Sequence, residues 1–75
     1  MSHFHRLRVV PQGAIDGVNT EFTLIEEPIA GSARVFVNGL EQFEGEDFSV
    51  EGRTITMVRP PQPGDELFVH YEVGA

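Results

Sequence analysis

The chain has 75 residues, of which 40% are hydrophobic and 23% charged, and it contains no cysteine. This composition predicts one small folded domain and excludes a disordered tail, a disulfide framework and a cysteine-based zinc site. Twelve carboxylates against five arginines and no lysine give a net charge of −7, which argues against nucleic-acid binding because phosphate contacts require a basic surface.

Size and hydropathy also limit where and how the chain works. No apolar run approaches the ~18 residues of a membrane span, and the N-terminus lacks the apolar segment of a signal peptide, so we expect synthesis in the cytoplasm and no membrane insertion. A domain this small buries only about 60–65% of the surface that its unfolded chain exposes. We therefore expect oligomerisation, or docking on a larger assembly, to add to its stability.

The predicted elements begin with a strand over residues 5–10 that carries a basic segment, His3-Phe-His-Arg-Leu-Arg8. This segment is interpreted either as an edge strand kept soluble by outward arginines or as an arm that reaches an acidic patch on a neighbouring copy or a partner. On this basis residues 1–10 form an N-terminal arm and first strand, and residues 11–75 form a single β-sandwich domain.

Period-2 alternation bounded by Gly, Pro and Asn recurs along the rest of the chain, and helical periodicity is not sustained anywhere. A loop over residues 14–20, with Asp16 and Asn19 suited to turn hydrogen bonds, precedes the second strand. The further strands are predicted at residues 21–25, 33–37, 40–42, 48–50, 53–58 and 66–73. Six or seven short strands predict an all-β fold, a small antiparallel β-sandwich or partly closed barrel joined by tight hairpins.

Four residues are predicted to define turns: Asn38, Gly39, Gly52 and Gly64. Asn38-Gly39 is typical of a type I′ hairpin turn, Glu51-Gly52 indicates a second tight turn, and Gly64 lies in the proline-rich connector before the last strand. The predicted core consists of the inward residues of the strands: Phe22, Leu24, Val35, Val37, Phe48, Val50, Ile55, Met57, Leu67, Val69 and Tyr71.

Some aromatic residues fall outside this core and are candidates for an interface. Phe36 and Phe68 lie on the opposite faces of their strands, and Phe4 and Phe43 lie at element ends. Such residues either cover a sheet edge or serve as sockets for another subunit. The candidate interface therefore consists of Phe4, Arg6, Arg8, Phe36 and Phe68.

No pattern in the sequence predicts chemistry. The serines and threonines lie in turns or at outward strand positions, so no catalytic residue is predicted and we expect no enzyme. The acidic loop with Glu44, Glu46 and Asp47 does not have the spacing of a calcium loop. His3 and His5 with His70 would bind a metal only if three copies met at an axis, so no metal and no cofactor are predicted.

Four segments in order carry a resemblance to a known family. They are Asp16-Gly-Val-Asn-Thr-Glu-Phe-Thr-Leu24, Pro28-Ile-Ala-Gly-Ser-Ala-Arg-Val-Phe-Val-Asn-Gly-Leu-Glu-Gln42, Asp47-Phe-Ser-Val-Glu-Gly-Arg-Thr-Ile-Thr-Met57 and Pro60-Pro-Gln-Pro-Gly-Asp-Glu-Leu-Phe-Val-His-Tyr71. Over residues 16–73 the chain resembles the small β-modules of tailed-bacteriophage virion structural proteins. The basic segment at residues 3–8 is not part of that pattern.

The resemblance implies a non-enzymatic virion component, and the stand-alone length favours a small oligomeric accessory subunit, for capsid decoration or for neck or tail attachment. The implied partners are further copies of the chain, with a trimer as one arrangement, and other virion proteins. It implies no catalytic or metal-binding residue. The alternative is a carbohydrate-binding or host-recognition module at a tail-fibre tip, which the absence of tryptophan and the inward placement of Tyr71 disfavour.

Overall fold

The computed structural model describes residues 4–74, with side chains described from Arg6 onward. Its strands are β1 (Phe4–Val9), β2 (Glu21–Thr23), β3 (Arg34–Val37), β4 (Leu40–Glu41), β5 (Phe48–Glu51), β6 (Thr54–Met57) and β7 (Leu67–Gly74). No helix occurs in this range, which confirms the all-β prediction. The strand ends differ from the predicted ones by at most two residues.

The strands form two antiparallel sheets. The four-stranded sheet has the order β1-β7-β3-β4, and the three-stranded sheet has the order β2-β6-β5. The sheets are not closed into a barrel, so of the two predicted architectures the structure shows the sandwich. β1 pairs with β7 along its full length, from Phe4 opposite Gly74 to Val9 opposite Val69, so the basic segment enters the sandwich as an edge strand from residue 4 onward.

The core lies between the two sheets and follows from the alternation of the strands. β7 shows it most clearly, because Leu67, Val69, Tyr71 and Val73 are buried while the residues between them are partly exposed. The predicted core residues are buried except Val37 and Val50, which are partly buried and pack against it from a strand end and an edge strand. Ala33 and Val73, which the predicted core omitted, are buried as well.

The hairpin turns adopt the backbone conformations that their sequences require. Asn38 (φ 52°) and Gly39 (φ 82°) both have positive φ, and Val37 pairs with Leu40, which confirms the type I′ turn. In the second hairpin, Glu51 pairs with Thr54, so its two-residue loop is Gly52-Arg53, one residue later than predicted. Gly52 has φ 59° at the first loop position, as in a type II′ turn.

Side-chain hydrogen bonds fix the longer connections. The Asp16 carboxylate accepts from the backbone N–H groups of Val18 (2.9 Å) and Asn19 (2.8 Å), as predicted for this loop. The Asn38 side chain donates to Asp65 (3.0 Å) and accepts from the backbone N–H of Glu66 (2.9 Å). The β3–β4 turn is thereby joined to the connector that precedes β7, in which Gly64 has φ 93°.

Candidate functional site

The outer face of the four-stranded sheet gathers most of the predicted interface residues. Inward side chains on β1, β3 and β7 alternate with outward ones, and the outward positions with described side chains carry three arginines, two phenylalanines, a histidine and one glutamate, Glu72. We call this surface the basic-aromatic face; it consists of Arg6, Arg8, Arg34, Phe36, Phe68 and His70. The side chain of Phe4, the remaining predicted interface residue, lies outside the described residues, although its backbone continues β1.

Arg34 and His70 were not among the predicted interface residues. The signal that identifies them is parity: Arg34 is two residues from Phe36, and His70 is two residues from Phe68, so each shares a face with its neighbour on the same strand. The pairing of β3 with β7, which places Arg34 opposite His70 and Phe36 opposite Phe68, could not be derived from strand alternation alone.

Strand register arranges the basic-aromatic face in cross-strand rows. Arg8 lies opposite His70, which in turn lies opposite Arg34, so one row across three strands carries two arginines and an imidazole. No carboxylate lies in this row, so neither arginine faces an opposite charge within it.

Aromatic contacts position two side chains of the row, Arg8 and His70. The Arg8 guanidinium carbon lies 4.4 Å from the centroid of the Phe68 ring, within cation–π range. The rings of Phe36 and His70 are tilted by 52° with centroids 5.1 Å apart. Both phenylalanines are partly exposed. The face therefore presents apolar rings and cationic groups together, a combination that is enriched in protein interfaces.

Two ion pairs join arginines of the face to carboxylates, one in the same cross-strand row and one in the adjacent row. Arg6 contacts Glu72 at 3.3 Å, and Arg34 contacts Glu41 at 4.0 Å. The side chains of both arginines stay largely exposed, at 79% and 69%, so these pairs are weak and the guanidinium groups remain accessible. No ion pair to Arg8 occurs among the described side chains.

A groove of about 370 Å³ lies on the same face, where β3 begins beside β7. Arg6, Arg34 and His70 line it together with Glu72 and Ser32. The Ser32 hydroxyl accepts a hydrogen bond from the backbone N–H of Glu72 at 3.1 Å, which anchors the loop before β3 to the end of β7. The groove is thus open and polar, and its rim carries the cationic groups.

The charge of the protein is divided between this face and the remaining surface. The face and its two ion-pair carboxylates, Glu41 and Glu72, carry three arginines against two carboxylates, a net charge of +1. The rest of the chain holds the other ten carboxylates and two arginines, a net charge of −8. A cationic face on an otherwise anionic body gives the molecule a strong electrostatic polarity.

The other groups considered in the sequence are held in loops. The Asp47 carboxylate accepts from the backbone N–H of Phe43 at 2.9 Å, within the acidic loop. Backbone N–H groups of Asn19 and Val18 lower the pKa of Asp16, and the Asn38 amide lowers the pKa of Asp65. Within residues 4–74 no group of three or more potential ligands is arranged to hold a metal ion. His3, and the side chain of His5, lie outside the described residues.

Comparison with protein-family models, curated proteins and solved structures finds no match to this chain. Among the described residues there is also no helix long and apolar enough to span a bilayer. The features available for inferring function are therefore the motifs of the chain and the basic-aromatic face.

Proposed function

We propose that this chain is a non-enzymatic structural subunit of a tailed-bacteriophage particle, which attaches to further copies of itself or to other virion proteins through the basic-aromatic face. The observation that carries the proposal is this face, with three of the five arginines and two partly exposed phenylalanines on one side of an acidic body. The virion context is supported by the four ordered sequence motifs of residues 16–73.

The size of the face suits such a role. A stable protein interface buries about 800 Å² per partner. That area is roughly one sixth of the 5016 Å² of accessible surface of this chain. Burying the rings of Phe36 and Phe68 would supply hydrophobic energy, while Arg6, Arg8 and Arg34 would pair with carboxylates of the partner. Capsid decoration and neck or tail attachment would both require a docking surface of this kind.

The carbohydrate-binding alternative receives little support. Sugar-binding platforms are usually exposed tryptophan or tyrosine rings, and this chain has no tryptophan. Its one tyrosine, Tyr71, is 1% exposed and belongs to the core. Saturable binding of the wild-type protein to defined oligosaccharides on a glycan array would favour this alternative over particle assembly.

Two measurements test the proposal. Mass spectrometry of purified phage particles from cells that carry the gene should find the protein in a fixed ratio to the major virion proteins. Size-exclusion chromatography with light scattering should show either an oligomer or a monomer that co-sediments with those particles.

Replacing Arg8 by Glu should weaken the association, whereas Arg59→Glu, an exposed arginine away from the face, should not. A stable monomer that is absent from particles and does not bind them would contradict the proposal.

A further inference from the structure

The outer edge of β1 offers a second binding surface beside the basic-aromatic face. β1 is an edge strand of six residues in continuous one-to-one register with β7, and it contains neither proline nor a bulge, two of the usual devices that protect a sheet edge. Other edges are shorter or covered: Gln12 exchanges two backbone hydrogen bonds with Thr23 of β2, and Gly45 donates to Phe48 of β5.

The orientation of the β1 backbone follows from the hydrogen bonds of Glu72. The N–H of Glu72 donates to the Ser32 hydroxyl at 3.1 Å, and its carbonyl accepts from the N–H of Ile29 at 2.8 Å. Both groups therefore point toward the β3 side of β7 and away from β1. In an antiparallel pair, the residue opposite such a position also points its N–H and C=O away from its partner.

The residue opposite Glu72 is Arg6, so the N–H and C=O of Arg6 point outward from the sheet edge. The alternation of the strand extends this orientation to Phe4 and Arg8. Arg6 and Arg8 thus expose backbone hydrogen-bonding groups at the edge and also carry cationic side chains on the outer face. An antiparallel strand added here would place residues directly opposite Arg6 and Arg8, each exchanging two backbone hydrogen bonds with its arginine.

The same geometry discriminates against a second copy of β1. Two copies of β1 could pair antiparallel about a two-fold axis. If both cores lie on the same side of the joined sheet and at least five residues of β1 are paired, Arg6 lies opposite either Arg6 or Arg8 of the second copy. Facing arginines repel each other, whereas facing opposite charges contribute favourably. The edge therefore selects for a strand with carboxylates at alternating positions.

We propose that the β1 edge binds an extended acidic segment of a partner protein as a fifth strand of the four-stranded sheet, with Asp or Glu side chains opposite Arg6 and Arg8. The inference deepens the proposed function and rests on it for the source of the segment, another protein of the particle. Backbone hydrogen bonds would supply affinity and the two arginines would supply specificity, as in other cases of strand addition.

The probe is a fluorescently labelled seven-residue peptide, Thr-Val-Glu-Val-Glu-Val-Thr, with blocked ends. Its glutamates would lie opposite Arg6 and Arg8, and its central valine would lie on the side of Leu7, which packs partly buried against the core. Binding is followed by fluorescence polarisation, and amide chemical shifts of the isotope-labelled protein locate it. We expect the shifts to concentrate on residues 4–9.

Two modified peptides separate strand addition from simple charge attraction. N-methylation of both glutamates removes the N–H groups that face β1 without changing charge, and it should weaken binding at least about tenfold, since two backbone hydrogen bonds are lost. N-methylation of the central valine, whose N–H would face away, should leave binding unchanged. Replacing both glutamates by lysine should also reduce affinity about tenfold.

Protein variants complete the test. Arg6→Gln and Arg8→Gln should each weaken binding roughly threefold, as expected for exposed ion pairs, and Arg59→Gln should have no effect. Four results would each overturn the inference. They are unchanged binding of the peptide N-methylated at its glutamates, chemical-shift changes centred on another strand, no binding at millimolar peptide, and preferential binding of a ten-residue oligothymidylate. None of these results would bear on whether the protein is present in phage particles. Conversely, its absence from particles would not affect binding of the peptide, so the two proposals can fail independently.

Discussion

Among the glycines of the described residues, Gly13 is the one at which an added Cβ atom would meet its neighbours most closely, so Gly13→Ala should disrupt the packing of Phe22. A Cβ atom on Gly13 would lie 2.6 Å from Cδ2 of Phe22 and 3.0 Å from the backbone oxygen of Glu21. Phe22 is 0% exposed, so its ring has no room to move. The backbone is also fixed, because the adjacent Gln12 exchanges hydrogen bonds of 2.9 and 2.8 Å with Thr23.

The expected loss of stability has two parts. Gly13 has φ 152°, a conformation that costs a residue with a side chain about 1–3 kcal/mol. Overpacking against a rigid core side chain costs about 1–3 kcal/mol more. The sum, roughly 2–6 kcal/mol, is a large part of the roughly 4–11 kcal/mol available to a chain of this length.

Gly39→Ala is the matched control. Gly39 also has positive φ (82°), but a Cβ atom there would have nothing within 4 Å, so only the conformational cost of about 1–2 kcal/mol applies. Urea unfolding followed by circular dichroism and by Tyr71 fluorescence measures both variants. The free energy of unfolding of a chain this small falls by about 1 kcal/mol per molar urea. The urea midpoint of Gly13→Ala should therefore be lower than that of wild type by about 2 M or more, and that of Gly39→Ala by about 1–2 M. Equal losses would refute the importance of the Phe22 contact.

Three further variants test other contacts. The Tyr71 hydroxyl is buried and has no hydrogen-bond partner among the described residues, so Tyr71→Phe should leave the urea midpoint unchanged or raise it, and a loss above about 1 kcal/mol would contradict this. Ser32→Ala should cost about 1 kcal/mol in the same assay, because the Glu72 N–H loses its acceptor. The pKa of Asp65 is lowered in the folded state, first by the Asn38 amide, so its contribution to stability is present above the ordinary carboxyl pKa near 4 and is lost as pH falls below it. Melting temperatures of Asp65→Asn should therefore decline less steeply than those of wild type below about pH 4, and parallel curves would count against the Asp65 interaction.

Local patterns predicted most of the fold because alternation and turn chemistry are properties of a few neighbouring residues. Asn38-Gly39 has few conformations other than a type I′ turn, and the alternating residues of β7 have one apolar row to bury. Strand order, in contrast, is not a property of neighbouring residues. The pairing of β7 with both β1 and β3 depends on the packing of the whole chain, and no single segment encodes it.

The candidate site was predictable only in part for the same reason. Phe36, Phe68, Arg6 and Arg8 could each be assigned to outward positions from their own strands. Their convergence on one face, and the addition of Arg34 and His70 to it, required the register between strands. The outward direction of the Arg6 backbone follows from the pairing of Arg6 with Glu72 and from the hydrogen bond that the Glu72 N–H donates to Ser32, 40 positions away.

The central position of β7 also has a consequence for how the protein folds. Both β1 and β3 pair with β7, and β1 is separated from it by nearly the whole described chain. Long-range pairings of this kind form slowly, on a scale of milliseconds to seconds, because a large loop must close first. During synthesis on the ribosome, β1 and β3 emerge long before their shared neighbour. The four-stranded sheet therefore cannot be complete before β7 is available, and a truncated product that lacked residues 67–74 would carry the arginines of β1 without the strand that aligns them.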